Sequence, residues 1–330
     1  MINNSMSFFH TSIIPYTTAL VNVCSVFYVK FSNLPKSIII IVLHLYCRRD
    51  NVINSIIIRE GEKSMNDKTR YEILRQREMM KAYTAADVGT EPTDQQQKLP
   101  APAPVKSGKG GMKIPLPLDF ENIVQDKNLF ALLAERESCR VYREEEISLK
   151  ELSFLLWATQ GIRHFAGKMK QVTFRNVPSA GSRHPFETYL FINKTEGLTP
   201  GIYHYIPTDH TLELWENYPD YEEELTDALC GQEFAGAAPV TFVWSVIPYR
   251  SEWRYGRKSH KYMLIDAGHV CENLYLACES IGCGTCAIGA YDQDKLDELL
   301  GFITGPSAET DNEFAVYAAS VGKKREPSPK

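Results

Sequence analysis

Residues 261–281 read KYMLIDAGHVCENLYLACESI, and residues 282–291 continue as GCGTCAIGAY. The apolar positions of the first part fall on more than one face of a helix, which predicts a long core helix rather than an amphipathic surface helix. We expect this helix to stop at Gly282, because glycine readily adopts the left-handed conformation that ends helices. The small residues that follow would let the backbone approach a flat ligand closely.

The composition sets outer limits on function. The chain has 330 residues, a formal net charge of -5 and 44% hydrophobic residues, so it can form a sizeable core. Its basic residues are interspersed with acidic ones, so no nucleic-acid partner is expected. The eight cysteines lack the density of a disulfide scaffold, which favours a reducing compartment, the cytoplasm. His184 and His204 have no second ligand at metal-site spacing, so no metal is expected.

Residues 1–64 differ in composition from the rest of the chain. Their only alanine is Ala19 and their first glycine is Gly61, whereas Ile, Asn, Phe, Tyr and Ser are abundant. One interpretation is an upstream region translated by mis-annotation, with Met65 as the true start. The alternative is a membrane anchor, built on the uncharged residues 11–29 and the apolar residues 37–47. A membrane partner is therefore expected only if residues 1–64 belong to the protein.

Three further segments are predicted after Met65. Residues 65–113 are charged and then rich in Pro and Gly, which is typical of a tether. A folded domain is predicted over residues 114–325, and residues 326–330 are predicted to be a tail. Leu129 to Glu135 is expected to form a short helix, and Ser148 with Glu151 matches the capping box of another.

Two groups of basic residues are candidates for binding a phosphate. Arg136, Ser138 and Arg140 stand at alternate positions, so they point to one side if the segment is extended. Lys323 and Lys324 follow the last predicted strand, Phe314 to Val321. A solvated charged turn and a solvated tail are the alternatives.

The middle of the domain is predicted to consist of loops and strands. Residues 175–186 contain Pro and Gly and predict a loop, residues 187–193 predict a strand, and residues 201–215 predict a hairpin. Residues 239–247 are expected to form a buried strand. Loops that feed strands are suitable places to hold a ligand.

Two familiar motifs near Gly282 do not fit their usual contexts. Residues 282–287 match a loose dinucleotide-binding fingerprint, but that fingerprint follows a strand and opens a helix, which is the reverse of the order here. Cys278, Cys283 and Cys286 match part of an iron-sulfur spacing, but no fourth cysteine follows them. We therefore interpret these cysteines as packing residues.

Several ordered motifs together resemble the nitroreductase family, and most closely its SagB-type, or thiazole/oxazole-oxidase-type, dehydrogenases. The resemblance covers roughly residues 114–324. The motifs are Arg136-x-Ser138-x-Arg140, Pro178-Ser179-Ala180-Gly181, Asp266-Ala267-Gly268-His269, residues 284–291 and Val321-Gly322-Lys323.

The resemblance implies a fold, a cofactor and a partner. The fold would be α+β, with a central, mostly antiparallel sheet flanked by helices and a long buried core helix. The cofactor would be FMN, with NAD(P)H as transient reductant, and the protein would be a homodimer with shared flavin sites and a small-molecule substrate. Cofactor-binding positions carried over from the family are Arg136, Ser138, Arg140, Pro178, Ser179, Ala180, Gly181, Ile288, Gly289, Ala290, Lys323 and Lys324.

The azoline-oxidising members of the branch use a Lys-Tyr pair for proton transfer. The matching place here is Arg254-Tyr255, and arginine is a poor base because it stays protonated. Lys261-Tyr262 is the nearest alternative pair. The candidate catalytic residues are therefore Tyr255, Lys261 and Tyr262.

The first functional expectation is hydride transfer from NAD(P)H to an electron-poor acceptor such as a nitroaromatic or a quinone. Azoline-to-azole dehydrogenation of a modified peptide, with partner cyclase proteins, is one alternative. A flavin-binding carrier or sensor without turnover is the other.

Overall fold

The computed structural model describes residues 21–30, 39–47, 52–59, 67–81, 91–125, 128–302 and 312–325. The chain divides into two compact units, Met1–Arg75 and Gln76–Lys330, which are described separately. In the first unit, strands β1 (Val21–Lys30), β2 (Ile39–Cys47) and β3 (Val52–Arg59) form an antiparallel sheet in that order. Helix α1 follows at Asp67–Met80.

The prediction for residues 1–64 falls largely outside the described residues, as does the predicted tail at 326–330. Among the helices that the structure describes, none is both long enough and apolar enough to span a membrane.

In chain order the elements of the second unit are β4 (Lys113–Pro115), α2 (Leu129–Glu135), α3 (Leu149–Gln160), β5 (Ile162–Ala166), β6 (Val172–Arg175), β7 (Phe186–Ile192), β8 (Gly201–Ile206), β9 (Thr211–Glu216), α4 (Glu222–Ala228), α5 (Glu233–Gly236), β10 (Val240–Val246), α6 (Tyr249–Tyr255), α7 (Ser259–Ser280), β11 (Cys283–Ile288), α8 (Gln293–Leu299) and β12 (Phe314–Lys323). Seven of the strands form one sheet in the order β11-β12-β10-β7-β8-β9-β4, in which each neighbouring pair is antiparallel. A separate hairpin pairs β5 with β6. The predicted mostly antiparallel sheet, flanked by helices and a long helix, is confirmed.

The central strands are buried on both faces. All seven residues of β7 and all seven of β10 are buried, because helices cover the sheet on each side. One core cluster includes buried residues of α3 and α7, and the other includes residues of α4 and α8. A strand buried on both faces carries a nearly continuous apolar run, which is why residues 239–247 were recognisable as a strand.

Helix α3 begins as its sequence predicts. The Ser148 hydroxyl accepts a hydrogen bond from the Glu151 backbone N–H, and the Glu151 carboxylate accepts one from the Ser148 N–H at 2.9 Å. This reciprocal pair satisfies two backbone donors that the first turn of a helix leaves free. The predicted capping box is therefore confirmed.

Residues 91–112, which we call the strap, pack on the domain although their composition is typical of a tether. The Lys106 backbone N–H donates to Glu187, and its ammonium group donates to Tyr189 at 2.8 Å and pairs with Glu313 at 2.5 Å. The Lys109 backbone N–H donates to Glu213. The composition of a segment shows how little apolar surface it can bury. It does not show whether its polar groups form hydrogen bonds and ion pairs with charged residues of the domain.

Candidate functional site

The segment that follows α2 lies along the ends of β11 and β12. The Cys139 N–H donates to the Thr285 carbonyl at 2.9 Å, and the Arg143 N–H donates to the Lys323 carbonyl at 3.0 Å. Ser138 and Thr285 form an isolated parallel bridge. The structure therefore places Arg136, Ser138 and Arg140, which the sequence grouped, beside the strand that ends in Ile288.

Two glycines of this region serve the packing of the chain itself. Gly284 and Gly322 are directly paired across β11 and β12. A Cβ atom at Gly284 would lie 2.5 Å from Cys139, and one at Gly322 would lie 2.5 Å from the Tyr142 ring. The expectation that a flat ligand approaches this part of the small-residue run is therefore corrected at Gly284, because a side chain of the same protein already fills that space.

Tyr275 of α7 joins this segment to β11. Its hydroxyl lies 2.9 Å from the Ser138 hydroxyl and accepts a hydrogen bond from the Ala287 N–H at 2.9 Å. The Arg136 guanidinium lies 5.2 Å from the centre of the Tyr275 ring, within range of a cation–π contact. Nothing in the motif spacing pointed to Tyr275, which sequence reasoning missed.

Neither Arg136 nor Arg140 has a carboxylate partner within the described parts of the chain. The recorded side-chain contacts of their guanidinium groups are with the aromatic rings of Tyr275 and, at 5.9 Å, Phe234. Arg140 and Ser138 are exposed and Arg136 is half-buried. Two accessible cations with free donor forks, flanking a hydroxyl, are chemically suited to an anion with several oxygens.

Unlike the two arginines, Lys323 and Lys324 have carboxylate partners. The Lys323 ammonium group contacts the Glu151 carboxylate, and the Lys324 ammonium group lies 2.6 Å from Glu279. Each lysine is mostly buried with its partner. Because carboxylates already neutralise their charges, the expectation that they assist in holding a phosphate stays a prediction, and these contacts do not favour it.

The loop before β7 is fixed by a carboxylate of α7. The Ser179 hydroxyl donates to Asp266 at 2.6 Å, and the Ala180 N–H donates to the same group at 3.2 Å. The Ser179 hydroxyl in turn accepts from the His184 N–H at 2.9 Å. Burial raises the pKa of Asp266 above its usual value, although these hydrogen bonds act in the opposite direction.

The same loop holds unusual backbone conformations. Gly181, Ser182 and His184 have φ angles of 57°, 51° and 44°. Such angles are costly for residues other than glycine and persist where the surrounding structure imposes them. Pro178 and Gly181 are exposed on this loop.

The predicted catalytic candidates lie beside the loop. A Cβ atom at Gly181 would lie 2.5 Å from the Tyr255 hydroxyl and 2.8 Å from Nε of Arg254. The rings of Tyr255 and Tyr262 meet edge to face at 4.8 Å. Lys261 is half-buried at the start of α7. The structure thus brings Tyr255 next to Gly181, with Tyr262 packed against Tyr255.

The site residues form two clusters on opposite faces of α7. Asp266 and Tyr275 are nine positions apart, about two and a half helical turns, so their side chains leave the helix in opposite directions. Asp266 holds Pro178–Gly181, and Tyr275 holds Ser138 and the end of β11. Within one chain, the two groups of predicted cofactor-binding residues therefore do not face one common cleft.

The end of β11 is open on the Tyr275 side. Gly289 and Ala290 are exposed, and a Cβ atom at Gly289 would have no neighbour closer than Tyr317 at 4.0 Å. The Ala290 carbonyl accepts a hydrogen bond from Gln232 at 2.9 Å. Backbone at Gly289 is therefore accessible to a ligand, in contrast to backbone at Gly284.

A separate cleft of about 490 Å³ is lined by residues of β9, α4 and α8. None of its lining residues belongs to either cluster. Lys295 lines this cleft and forms an ion pair with Asp227 at 2.6 Å. Among the described residues, no group of three or more His, Cys, Asp or Glu side chains is arranged to hold a metal ion.

Several known proteins are similar to this chain. A model of the nitroreductase family matches residues 133–323. The nitroreductase-like protein MJ1384 of Methanocaldococcus jannaschii is 31% identical over 215 residues, which cover 65% of this chain and 98% of that protein. The trifolitoxin-processing protein TfxB of Rhizobium leguminosarum is 31% identical over 110 residues, 32% of this chain and 30% of that protein. The crystal structure of a nitroreductase-like protein from Ralstonia eutropha is 25% identical, covers 69% of this chain and 96% of that chain, and has a TM-score of 0.51.

Proposed function

This chain belongs to the nitroreductase family, and from that membership we propose that it is an FMN-dependent oxidoreductase that moves hydride from NAD(P)H to an electron-poor small molecule. A nitroaromatic or a quinone is the proposed type of acceptor. FMN, when bound, supplies the redox chemistry, so no side chain has to accept electrons. The protein's contribution is to hold the cofactor, orient the substrate and exclude water.

One observation carries the proposal: Arg136, Ser138 and Arg140 present unneutralised donors beside an open strand end. Arginine forks bind phosphate oxygens in a bidentate manner, and the Ser138 hydroxyl supplies one more donor. These residues therefore fit the terminal phosphate of FMN. We leave Lys323 and Lys324 out of this set because their ammonium groups are bound to Glu151 and Glu279.

The remaining cofactor contacts are proposed for backbone. Gly289 and Ala290 are exposed where β11 ends, directly after the buried Ile288, so we propose that backbone from Ile288 to Ala290 lies along the flavin ring. Asp266 holds Ser179 and Ala180 of the Pro178–Gly181 loop by hydrogen bonds, which favours a role of this loop in orienting a planar ligand. Rigid placement of this kind reduces the entropy lost on binding.

We further propose that the protein is a homodimer whose interface runs along α7. An exposed apolar stripe includes Leu264, 52% exposed, and Ile265, 46% exposed, on α7, and Phe130, 81% exposed, on α2, which packs against α7. A second copy related by a two-fold axis would cover this stripe. It would also bring the Pro178–Gly181 loop of one copy toward the Arg136–Arg140 segment of the other. Sedimentation should then give a mass twice the 37.5 kDa of one chain, and a monomer at that test would contradict the proposed interface.

For domain organisation and location we propose an FMN domain at residues 114–325 with the strap folded onto it, in a cytoplasmic protein. For residues 1–64 we keep two alternative proposals, a mis-annotated upstream region that is not translated and a membrane anchor. SagB-type membership within the family is likewise a proposal.

Azoline-to-azole dehydrogenation is a second candidate, and one observation favours it. The similarity to TfxB, a protein named for processing trifolitoxin, joins the chain to a toxin-processing protein over 110 residues. Against it stands Arg254, since an arginine beside Tyr255 cannot act as the proton acceptor that a lysine provides. Partner cyclase proteins would be required for this activity.

An absorption spectrum tests the proposed function. The full chain, purified with added FMN and freed of excess, is recorded before and after NADPH or NADH is added without oxygen. We expect flavin bands that bleach with a dihydronicotinamide and return when a quinone or a nitroaromatic is added. Bound flavin that does not bleach would favour the peptide dehydrogenase or a carrier or sensor. A folded protein that takes up no FMN would refute the proposal.

A further inference from the structure

Arg254 and Arg183 place two guanidinium groups next to Gly181. A Cβ atom at Gly181 would lie 2.8 Å from Nε of Arg254, and Arg183 is two residues further along the loop. Arg254 is exposed, whereas Arg183 is only 3% exposed. No carboxylate is paired with either arginine in the described part of the chain. The loop and helix α6 thus bring two positive charges together, Arg183 buried and Arg254 open to solvent.

Arg183 is incompletely bonded in its buried position. Its Nε donates to the Arg250 carbonyl at 2.7 Å, but its Nη2 is buried and has no hydrogen-bond partner among the residues that the structure describes. Burial, and then the charges of Arg254 and Arg250, lower the pKa of Arg183. Arg250 differs, because it forms an ion pair with Glu187 at 2.6 Å. A buried cation without a counter-charge is costly, and an anion at this place would relieve the cost.

Contacts of Trp253 with Arg183 and with the strap fix the position of the two arginines. The Arg183 guanidinium lies 4.9 Å from the centre of the Trp253 ring. The strap fastens that residue at two points, since the Gln95 N–H donates to the Trp253 carbonyl at 2.9 Å and the Trp253 indole N–H donates to the Leu99 carbonyl at 3.1 Å. Helix α6, which carries Trp253 and Arg254, is therefore pre-organised beside the loop.

Resting on the oxidoreductase role proposed above, we propose that Arg254, supported by Arg183, binds an acidic group of the molecule that exchanges electrons at this site. The group would be a carboxylate or a phosphate, the two anions that a guanidinium fork binds best. Its source is either the acceptor itself or the phosphate that distinguishes NADPH from NADH. A neutral analogue would leave Arg254 unpaired, so the site selects for acids.

Equilibrium binding tests the proposal without turnover. Benzoate and benzamide, which differ in charge but little in shape, are titrated into the flavin-loaded full chain, with intrinsic tryptophan fluorescence as the readout. We expect benzoate to bind about tenfold more tightly, the size of one charged hydrogen bond. That preference should be lost in Arg254→Gln and largely kept in Arg254→Lys. The control is Arg257→Gln, which removes an exposed arginine from the same segment.

Two kinetic comparisons identify the source of the acid. The first compares kcat/KM for 4-nitrobenzoate and 4-nitrobenzamide with one reductant, and the second compares flavin bleaching by NADPH and by NADH without acceptor. Loss of the first ratio alone in Arg254→Gln assigns the acid to the acceptor. Loss of the second ratio alone assigns it to the nucleotide phosphate.

The proposal is overturned if the wild-type protein prefers neither benzoate nor NADPH, or if Arg254→Gln keeps whatever preference exists. Loss of preference in Arg257→Gln to the same degree would also overturn it, because the effect would then be general surface charge. A protein that prefers benzoate but whose flavin never bleaches would refute the proposed oxidoreductase and not the acid site.

Discussion

The charges beneath the strap and the charges beside α7 are arranged in opposite ways. Under the strap, Glu187 is 2% exposed and binds Arg250 at 2.6 Å and His204 at 3.0 Å. The Lys106 ammonium lies 4.6 Å from the centre of the Trp215 ring, with Glu313 beside it. Beside α7, Arg136 is only half-buried and has no carboxylate partner among the described residues.

The difference separates charges that stabilise from charges that bind. A buried ion pair already neutralises its own charges, so it retains no net charge to attract an ionic ligand. An exposed or half-buried guanidinium without a partner contributes little to stability and retains its full capacity for an anion. Lys323 and Lys324 belong with the first kind, although their position in the sequence suggested the second.

Breaking the buried network should produce the largest effect. Glu187→Gln leaves Arg250 and His204 without their common partner, and we expect the free energy of unfolding to fall by about 3–5 kcal/mol. Urea denaturation measures it. The matched control is Glu216→Gln, whose pair with Lys109 is about half exposed and should be worth less than about 1 kcal/mol. Equal losses in the two variants would remove the distinction between the regions.

Changing the open cluster should affect binding and leave stability nearly unchanged. In Arg136→Gln or Arg140→Gln, each loss of a charged hydrogen bond should weaken FMN binding by about 1.5–3 kcal/mol. The unfolding free energy without cofactor should shift by less than about 0.5 kcal/mol. Flavin fluorescence titration measures the first quantity, with Arg143→Gln as control because Arg143 is already paired with Glu145 at 3.3 Å. An affinity unchanged in both variants would place the phosphate elsewhere.

The smallest expected effect, per histidine and per pH unit, is the pH dependence of stability from two histidines, His184 and His210. Burial lowers the pKa of His210 to about 4, and burial followed by the charge of Arg175 lowers the pKa of His184 to about 2. The unfolded chain binds these protons near pH 6.5 and the folded chain does not. Stability should therefore be constant with respect to these groups above pH 7 and fall as the pH drops from about 6.5 toward 4.

The change in the free energy of unfolding with pH cannot exceed about 1.4 kcal/mol per pH unit for each histidine. Thermal unfolding at pH 7, 6 and 5 measures it. His210→Gln should reduce the slope to that of His184 alone, because glutamine cannot be protonated. A stability that rises on acidification over this interval would contradict the assignment of both histidines as neutral in the folded protein.

Local features were predictable where a short segment determines them. The capping box of Ser148 and Glu151, the hairpin of β8 and β9, and the helix from residue 259 to residue 280 all depend on neighbours in the chain. The grouping of Arg136, Ser138 and Arg140 needed only an extended backbone. Their placement beside β11 was not predicted, because it depends on hydrogen bonds to a strand more than 140 residues away in the chain.

The features that sequence reasoning did not predict depend on contacts between segments that are distant in the chain. Lys323 is neutralised by Glu151 and Lys324 by Glu279, and no local pattern shows that these carboxylates reach them. Tyr275 was overlooked because one tyrosine in an apolar helix has no distinguishing spacing. The exposed stripe at Leu264 and Ile265 was expected to be buried, since apolar content does not tell whether a helix is covered by its own chain or by another.

The strap also has a consequence for the order in which the protein is made. Lys106 leaves the ribosome 207 residues before its partner Glu313. At about 5–20 residues per second, that interval lasts roughly 10–40 s. Throughout it, the lysine has no ion-pair partner at position 313, and β12 is not yet available to complete the sheet. The first part of the domain to be synthesised is thus among the last to dock, and interrupted translation would release a product whose amino-terminal segment is open to proteases.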